Sequence, residues 1–254
     1  MKTAQSYLYT AWKRLIAAYL LAALIGLATG SLLVNVGNIP PERIFEASTK
    51  RLSYALPAFD RGTEHGIDMG VLLFAWNSLG AMVTMSFIYT AALFDPDHRQ
   101  ASPRWLRKVF CGKTRMKLLC YLPGCAQIEA ESLRRLYVWV MVPLLGILLL
   151  GVESGLQVST ATYIFGSFRT AFLALLPHGL IEIPAFSLAG AVAYSAHLQM
   201  AARARNNQIR MVFQQMATHR RTLPIKTIAL SVVGGLLVAG LVEAHITPWL
   251  MQMV

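Results

Sequence analysis

The chain has 254 residues, of which 56% are hydrophobic and only 14% charged, with a mean hydropathy of +0.50. Soluble domains carry about 25% charged residues, so this balance excludes an ordinary water-soluble globule and points to an integral membrane protein. The net charge of +11 would suit nucleic acid, but in a membrane protein the informative quantity is how that charge divides among the loops.

Residues 1–14 are short and weakly basic. Residues 15–34, LIAAYLLAALIGLATGSLLV, are apolar and long enough to span a bilayer. The run exceeds a secretory h-region and no clean small-residue cleavage site follows it, so it reads as an uncleaved first helix. Its Gly26 and Gly30 make a small-xxx-small face suited to close helix packing. The connection 35–65 mixes Arg43, Lys50, Arg51 and Arg61 with Glu42, Glu46, Asp60 and Glu64. Pro40-Pro41-Glu42 is a helix-start signal, and the residues after it fit a short amphipathic surface helix. A second span is expected over 67–94, with the amide Asn77 at membrane depth.

Residues 95–136 are the most basic part of the chain. Trp105, Leu106, Val109, Phe110, Met116 and Leu119 recur there at roughly helical spacing between basic residues. This predicts a basic cytoplasmic connection over 97–135 with an interfacial helix attracted to anionic lipid. A nucleic-acid partner is not expected, because no recognition pattern accompanies the charge. Cys111, Cys120 and Cys125 lie in the same segment. They match no zinc spacing and have no histidine among them.

A third span is expected over 137–157. Residues 158–200 are less regular: an apolar piece carrying Arg169, then PHGLIEIP, then AFSLAGAVAYSAHLQM. Proline removes a backbone donor and interrupts a helix. The segment therefore predicts a broken helix, with 158–176 re-entrant or interfacial and the fourth span starting at Pro177. The last span is expected over 227–246. Among the 23 Lys and Arg, eighteen fall in residues 1–14, 95–136 and 201–226. Five spans with the N-terminus inside put all three segments on the cytoplasmic side, whereas six would place the basic run 201–226 outside. The predicted architecture is an all-α, polytopic membrane domain over 1–254 with about five transmembrane helices, in the cell inner membrane.

Ionisable residues in hydrocarbon are expensive and are retained for a reason. Asn77, Arg169, His178, Glu182 and Glu243 are the candidates for a buried polar motif. His178 and Glu182 are four apart and share one helix face. They suit a polar lock between the fourth helix and the second and fifth, an ion or proton path, or part of a metal site completed by Glu243 or His245. No paired-Asp, Ser-Lys or His-Glu-x-x-His string is present. The expectation is a chain that is not an enzyme, with no catalytic residue, no cofactor and no metal.

Pro177-His178-Gly179-Leu180-Ile181-Glu182-Ile183-Pro184-Ala185, followed by Ala189-Gly190-Ala191, resembles the core motif of the stage II sporulation protein M family. The ending Glu243-Ala244-His245-Ile246-Thr247-Pro248 resembles that family's closing segment, and Asn77 a polar position in its middle helices. The resemblance covers about residues 66–248. It implies a multi-pass inner-membrane protein whose sporulation relative organises an engulfment complex with exported peptidoglycan-degrading proteins. Similar proteins occur in non-sporulating organisms, some encoded near ATPase or ABC-type transport components. Two functions follow as expectations. One is a non-enzymatic scaffold or subunit of an envelope membrane complex, with protein partners and a possible homo-oligomer. The other is a transporter or channel-like permease subunit with an ionisable site at His178 and Glu182.

Overall fold

The computed structural model describes residues 3–91, 127–206 and 208–252. Most of the basic connection 97–135, and all three cysteines, lie outside the described residues. No strand occurs among the described residues, which form α1 (Ala4–Asn35), α2 (Pro41–Ser53), α3 (Leu56–Glu64), α4 (Met69–Ser86), α5 (Glu131–Phe165), α6 (Phe168–Arg205), α7 (Ile209–Thr222), α8 (Ile225–Leu241) and α9 (Thr247–Met251). A 3-10 turn, Phe87–Thr90, extends α4, and a π turn, Val242–Ile246, joins α8 to α9.

Five of these stretches are long and apolar enough to cross a membrane: Ala4–Asn35, Met69–Thr90, Glu131–Phe165, Phe168–Ala201 and Ile225–Met251. A span needs about 20 residues, so the first, third and fourth extend beyond the hydrocarbon. Leu20, Leu21 and Leu24 of α1 are exposed on the protein surface, as a lipid-facing stripe requires.

The helix starts follow local chemistry. The Thr3 hydroxyl accepts from the Ser6 amide at 3.3 Å and caps α1. Asp68 caps α4 by accepting from the Gly70 amide at 2.8 Å. Pro40 and Pro41 open α2, where a missing N–H costs nothing. A further start lies where the sequence reading did not put one. Residue 166 is a glycine in the left-handed conformation (φ +68°) and closes α5. The Ser167 hydroxyl then accepts from the Thr170 amide at 3.3 Å and opens α6. Residues 158–165 therefore complete the third span, and α6 runs without interruption through Pro177 and Pro184 to Arg205.

The expected break at Pro177 is thus corrected. Membrane helices tolerate internal proline because neighbouring groups and local adjustments satisfy the freed backbone. Separately, the Trp12 indole N–H donates to the carbonyl of Pro184 at 3.0 Å and ties α1 to α6. Pro143 is accommodated inside α5 as well.

Helix α6 is central and shared by two apolar clusters. One joins it to α1, α5 and α7 through Leu15, Leu136, Val140, Met200 and Val212. The other joins it to α4 and α8 through Ala81, Met85, Val192, Val232 and Leu236. The α1–α5 seam is built from small residues, as Gly26 and Gly30 predict. A Cβ on Gly151 would lie 2.6 Å from the Tyr19 carbonyl oxygen, and one on Gly155 would overlap the backbone of Ala23. A Cβ on Gly30 would come within 2.8 Å of Ser159. Toward the α5 C-terminus the seam turns polar, with Ser31 and Ser159 hydroxyls 3.1 Å apart and the Asn35 amide donating to the Tyr163 hydroxyl at 2.5 Å.

Candidate functional site

The polar residues of three spans meet where α4, α6 and α8 converge. On α6, His178 and Glu182 stand one turn apart. The ring of His178 is buried, at 8% exposure, and its Nδ1 is a buried atom with no hydrogen-bond partner. Glu182 is half-buried and accepts from the side-chain amide of Asn77 on α4 at 3.1 Å.

Glu243 arrives from the π turn after α8, and its origin is readable in the chain. Pro248 has no N–H, and its ring crowds the Ala244 carbonyl. The ladder widens at this point: the Thr247 amide bonds the Val242 carbonyl, five residues back, and the Thr247 hydroxyl donates to the same oxygen at 3.3 Å. Such π turns re-aim side chains and are common at functional sites.

Close helix contacts bring the three elements together. A Cβ on Gly240 would sit 2.6 Å from the Gly70 carbonyl oxygen, so α4 and α8 cross backbone to backbone there. A Cβ on Gly235 would touch Ala185 of α6 at 3.5 Å. The result is that a ring nitrogen of His178, a carboxylate oxygen of Glu182 and one of Glu243 all lie within 4.8 Å of one another. Among the described residues neither Glu182 nor Glu243 has a Lys or Arg ion-pair partner. Two carboxylates so placed repel, and a shared proton or a bound cation relieves them.

Four of the five residues expected in a buried polar motif are therefore gathered here: Asn77, His178, Glu182 and Glu243. Arg169 is not among them. It is exposed in the first turn of α6, nine residues or ~13 Å along the helix from His178. His245 also points elsewhere: its Nε2 lies 3.1 Å from the Asp68 carboxylate, with both side chains largely exposed. Asp68 was the residue missed in sequence. Its signal was an N-cap residue immediately before an apolar run.

A second polar group lies at the far end of α6, near Arg203 and Arg205. The His197 ring packs between Tyr137, at 4.4 Å, and Tyr194, at 5.5 Å between centroids. His219 of α7 is buried, and its Nε2 lies 2.8 Å from the Ser195 hydroxyl. That hydroxyl also donates to the Val192 carbonyl at 2.9 Å. With its one proton so used, the Ser195 oxygen accepts from His219 Nε2–H, which leaves Nδ1 as the unpartnered buried atom. Burial pushes the His219 ring down to about 4 from its ordinary value near 6.5.

The fold and this convergence define a class: a multi-pass, all-α membrane protein with an ionisable cluster shared by three of its spans. The family model described as stage II sporulation protein M matches residues 19–248, and the chain belongs to that family. Membership makes it a non-enzymatic protein of the inner membrane, and the matched range includes Asn77, His178, Glu182 and Glu243. No curated protein and no solved structure matches the chain.

Proposed function

We propose that this protein is the subunit of a membrane permease that passes a cation or proton through the His178–Glu182–Glu243 cluster. The observation that carries the reading is two carboxylates and a histidine within 4.8 Å, between three spans and with no Lys or Arg ion-pair partner among the described residues. A scaffold needs no such group. Apolar or small residues hold spans together without desolvating charge, and the α1–α5 seam of this same chain does so with Gly151 and Gly155.

With the N-terminus inside, as the basic segments favour, α4 and α6 both start at the outer face. Asn77 then lies ~12 Å along α4, and His178 and Glu182 lie ~15 and ~21 Å along α6. The cluster then falls around the middle of the bilayer, about 15 Å into a core about 30 Å thick, below the exposed Asp68–His245 pair. The basic inner segments supply contacts for anionic lipid or for other membrane proteins of a complex.

Reconstitution into proteoliposomes tests the reading. Wild-type protein dissipates an imposed proton or cation gradient, reported by trapped dyes, and Glu182→Gln does not. Equal leak from wild type, Glu182→Gln and empty vesicles would contradict it.

A further inference from the structure

We propose that His178, Glu182 and Glu243 bind a divalent first-row transition-metal cation, zinc being the simplest case, as exchangeable cargo. This deepens and rests on the permeation reading above by naming the substrate class of the same cluster.

Four features lead there. The first is charge. Two carboxylates bring two negative charges into the bundle with no basic ion-pair partner among the described residues. A dication cancels them at once, whereas a single proton or monovalent cation leaves one uncompensated at a depth where charge is costly. The second is the imidazole. His178 is 8% exposed, makes no hydrogen bond among the described residues, and keeps Nδ1 buried without a partner. A buried polar atom normally has one; a ring nitrogen of this imidazole, which makes no hydrogen bond among the described residues, lies with the two carboxylates, where a metal ion would bind it. Imidazole together with carboxylate favours zinc or iron over magnesium or calcium, which prefer oxygen, with manganese the weakest-bound of the first-row series.

The third is the number of donors. Three protein ligands leave a coordination position open, unlike the closed four-ligand sets of structural zinc. An open position lets water or the next donor enter and the ion leave. The fourth is support around the ligands. Asn77 holds one Glu182 oxygen at 3.1 Å, the kind of outer contact that orients a metal-binding carboxylate. The donor atoms spread over as much as 4.8 Å, and ligands about 2.0–2.2 Å from zinc lie about 3.4 Å apart. Closing the site takes a shift of about 1 Å in the two glutamate side chains, both half-buried rather than packed solid.

The test uses the full chain, purified in detergent without a polyhistidine tag, stripped with chelator and dialysed against Zn²⁺ or Mn²⁺. Bound metal is counted by elemental mass spectrometry. Wild type and the exposed-residue control His65→Ala bind one zinc per chain, and zinc displaces manganese bound there. Affinity falls by at least about ten-fold in His178→Ala, Glu182→Gln and Glu243→Gln, and by about ten-fold in Asn77→Ala. A zinc-dependent rise in wild-type unfolding temperature, absent with Mg²⁺, reads the site without any variant. No saturable zinc or manganese binding to wild type, or equal binding to the Glu182→Gln/Glu243→Gln double variant, would overturn the proposal. Wild type that passes protons in vesicles yet binds neither metal overturns the dication alone. Wild type that binds zinc at these residues yet passes nothing overturns the permeation reading and leaves the site standing.

Discussion

Two helix contacts in this molecule solve the same problem in opposite ways. Along α1–α5, the backbones touch over Gly151 and Gly155, and the polar contacts of the seam, Ser31–Ser159 and Asn35–Tyr163, are between neutral groups. At α4–α6–α8 the helices also cross on glycines, Gly70, Gly235 and Gly240, but the space beside the crossing holds Asn77, His178, Glu182 and Glu243. The first contact shows that this chain can join spans with small residues and neutral hydrogen-bonding groups, without an ionisable one. The ionisable residues of the second are therefore not what close packing demands, which supports the charge-handling role proposed above.

The comparison is most easily broken at the seam. Gly155→Leu places a side chain where the Ala23 backbone already lies. Overpacking of this kind costs about 3 kcal/mol or more, so loss of monodisperse protein on size exclusion is expected. Wild-type yield and unfolding temperature in that variant would refute the seam.

A second test uses pH and lies away from both contacts. His219 is neutral when folded because burial holds it near 4, while an unfolded histidine takes its proton near 6.5. Between those values the unfolded state binds more protons, so the stability from neutral His219 is full above about 6.5 and lost as pH falls toward about 4. The wild-type unfolding temperature should drop from pH 7 to pH 5 more steeply than that of His219→Gln. Parallel curves would show that His219 is not the titrating group.

Smaller effects sharpen the contrast. Asn77→Ala leaves Glu182 without its amide donor and should cost about 1–2 kcal/mol, read by thermal unfolding. Trp12→Phe removes the indole donor to Pro184 and should cost about 1 kcal/mol. Asp68→Asn keeps a capping oxygen for Gly70 but removes the charge facing His245. An exposed pair of this kind should be worth less than about 1 kcal/mol, so a near-wild-type unfolding temperature is expected.

The five spans were legible as apolar runs, most of them separated by charged segments, though none separates the third from the fourth. The four residues that meet at α4–α6–α8 were legible for the complementary reason, that a polar group inside such a run stands out. What could not be read was where α6 begins. Pro177 and Pro184 look like the interruption, but the boundary is Gly166–Ser167, where a left-handed glycine meets a serine cap. That misplacement carried Arg169 into the candidate motif, since a residue in the first turn of a helix was read as one near a buried break. The π turn was half legible: Thr247-Pro248 announces a disturbed ladder, but only the three-dimensional arrangement shows that it turns Glu243 toward His178 and Glu182.

Glu182→Gln divides the two uses of the cluster. Glutamine keeps the shape and an oxygen for the Asn77 amide to reach, and loses only the charge. The decisive measurement is gradient-driven proton or cation flux in proteoliposomes containing this variant at wild-type density. The expected result is abolished flux, with the variant's unfolding temperature within about 4 °C of wild type, a shift of about 1 kcal/mol for a domain of this size. Wild-type flux from a well-folded Glu182→Gln protein would contradict a charge-handling cluster, and would leave these residues as a polar tie between helices.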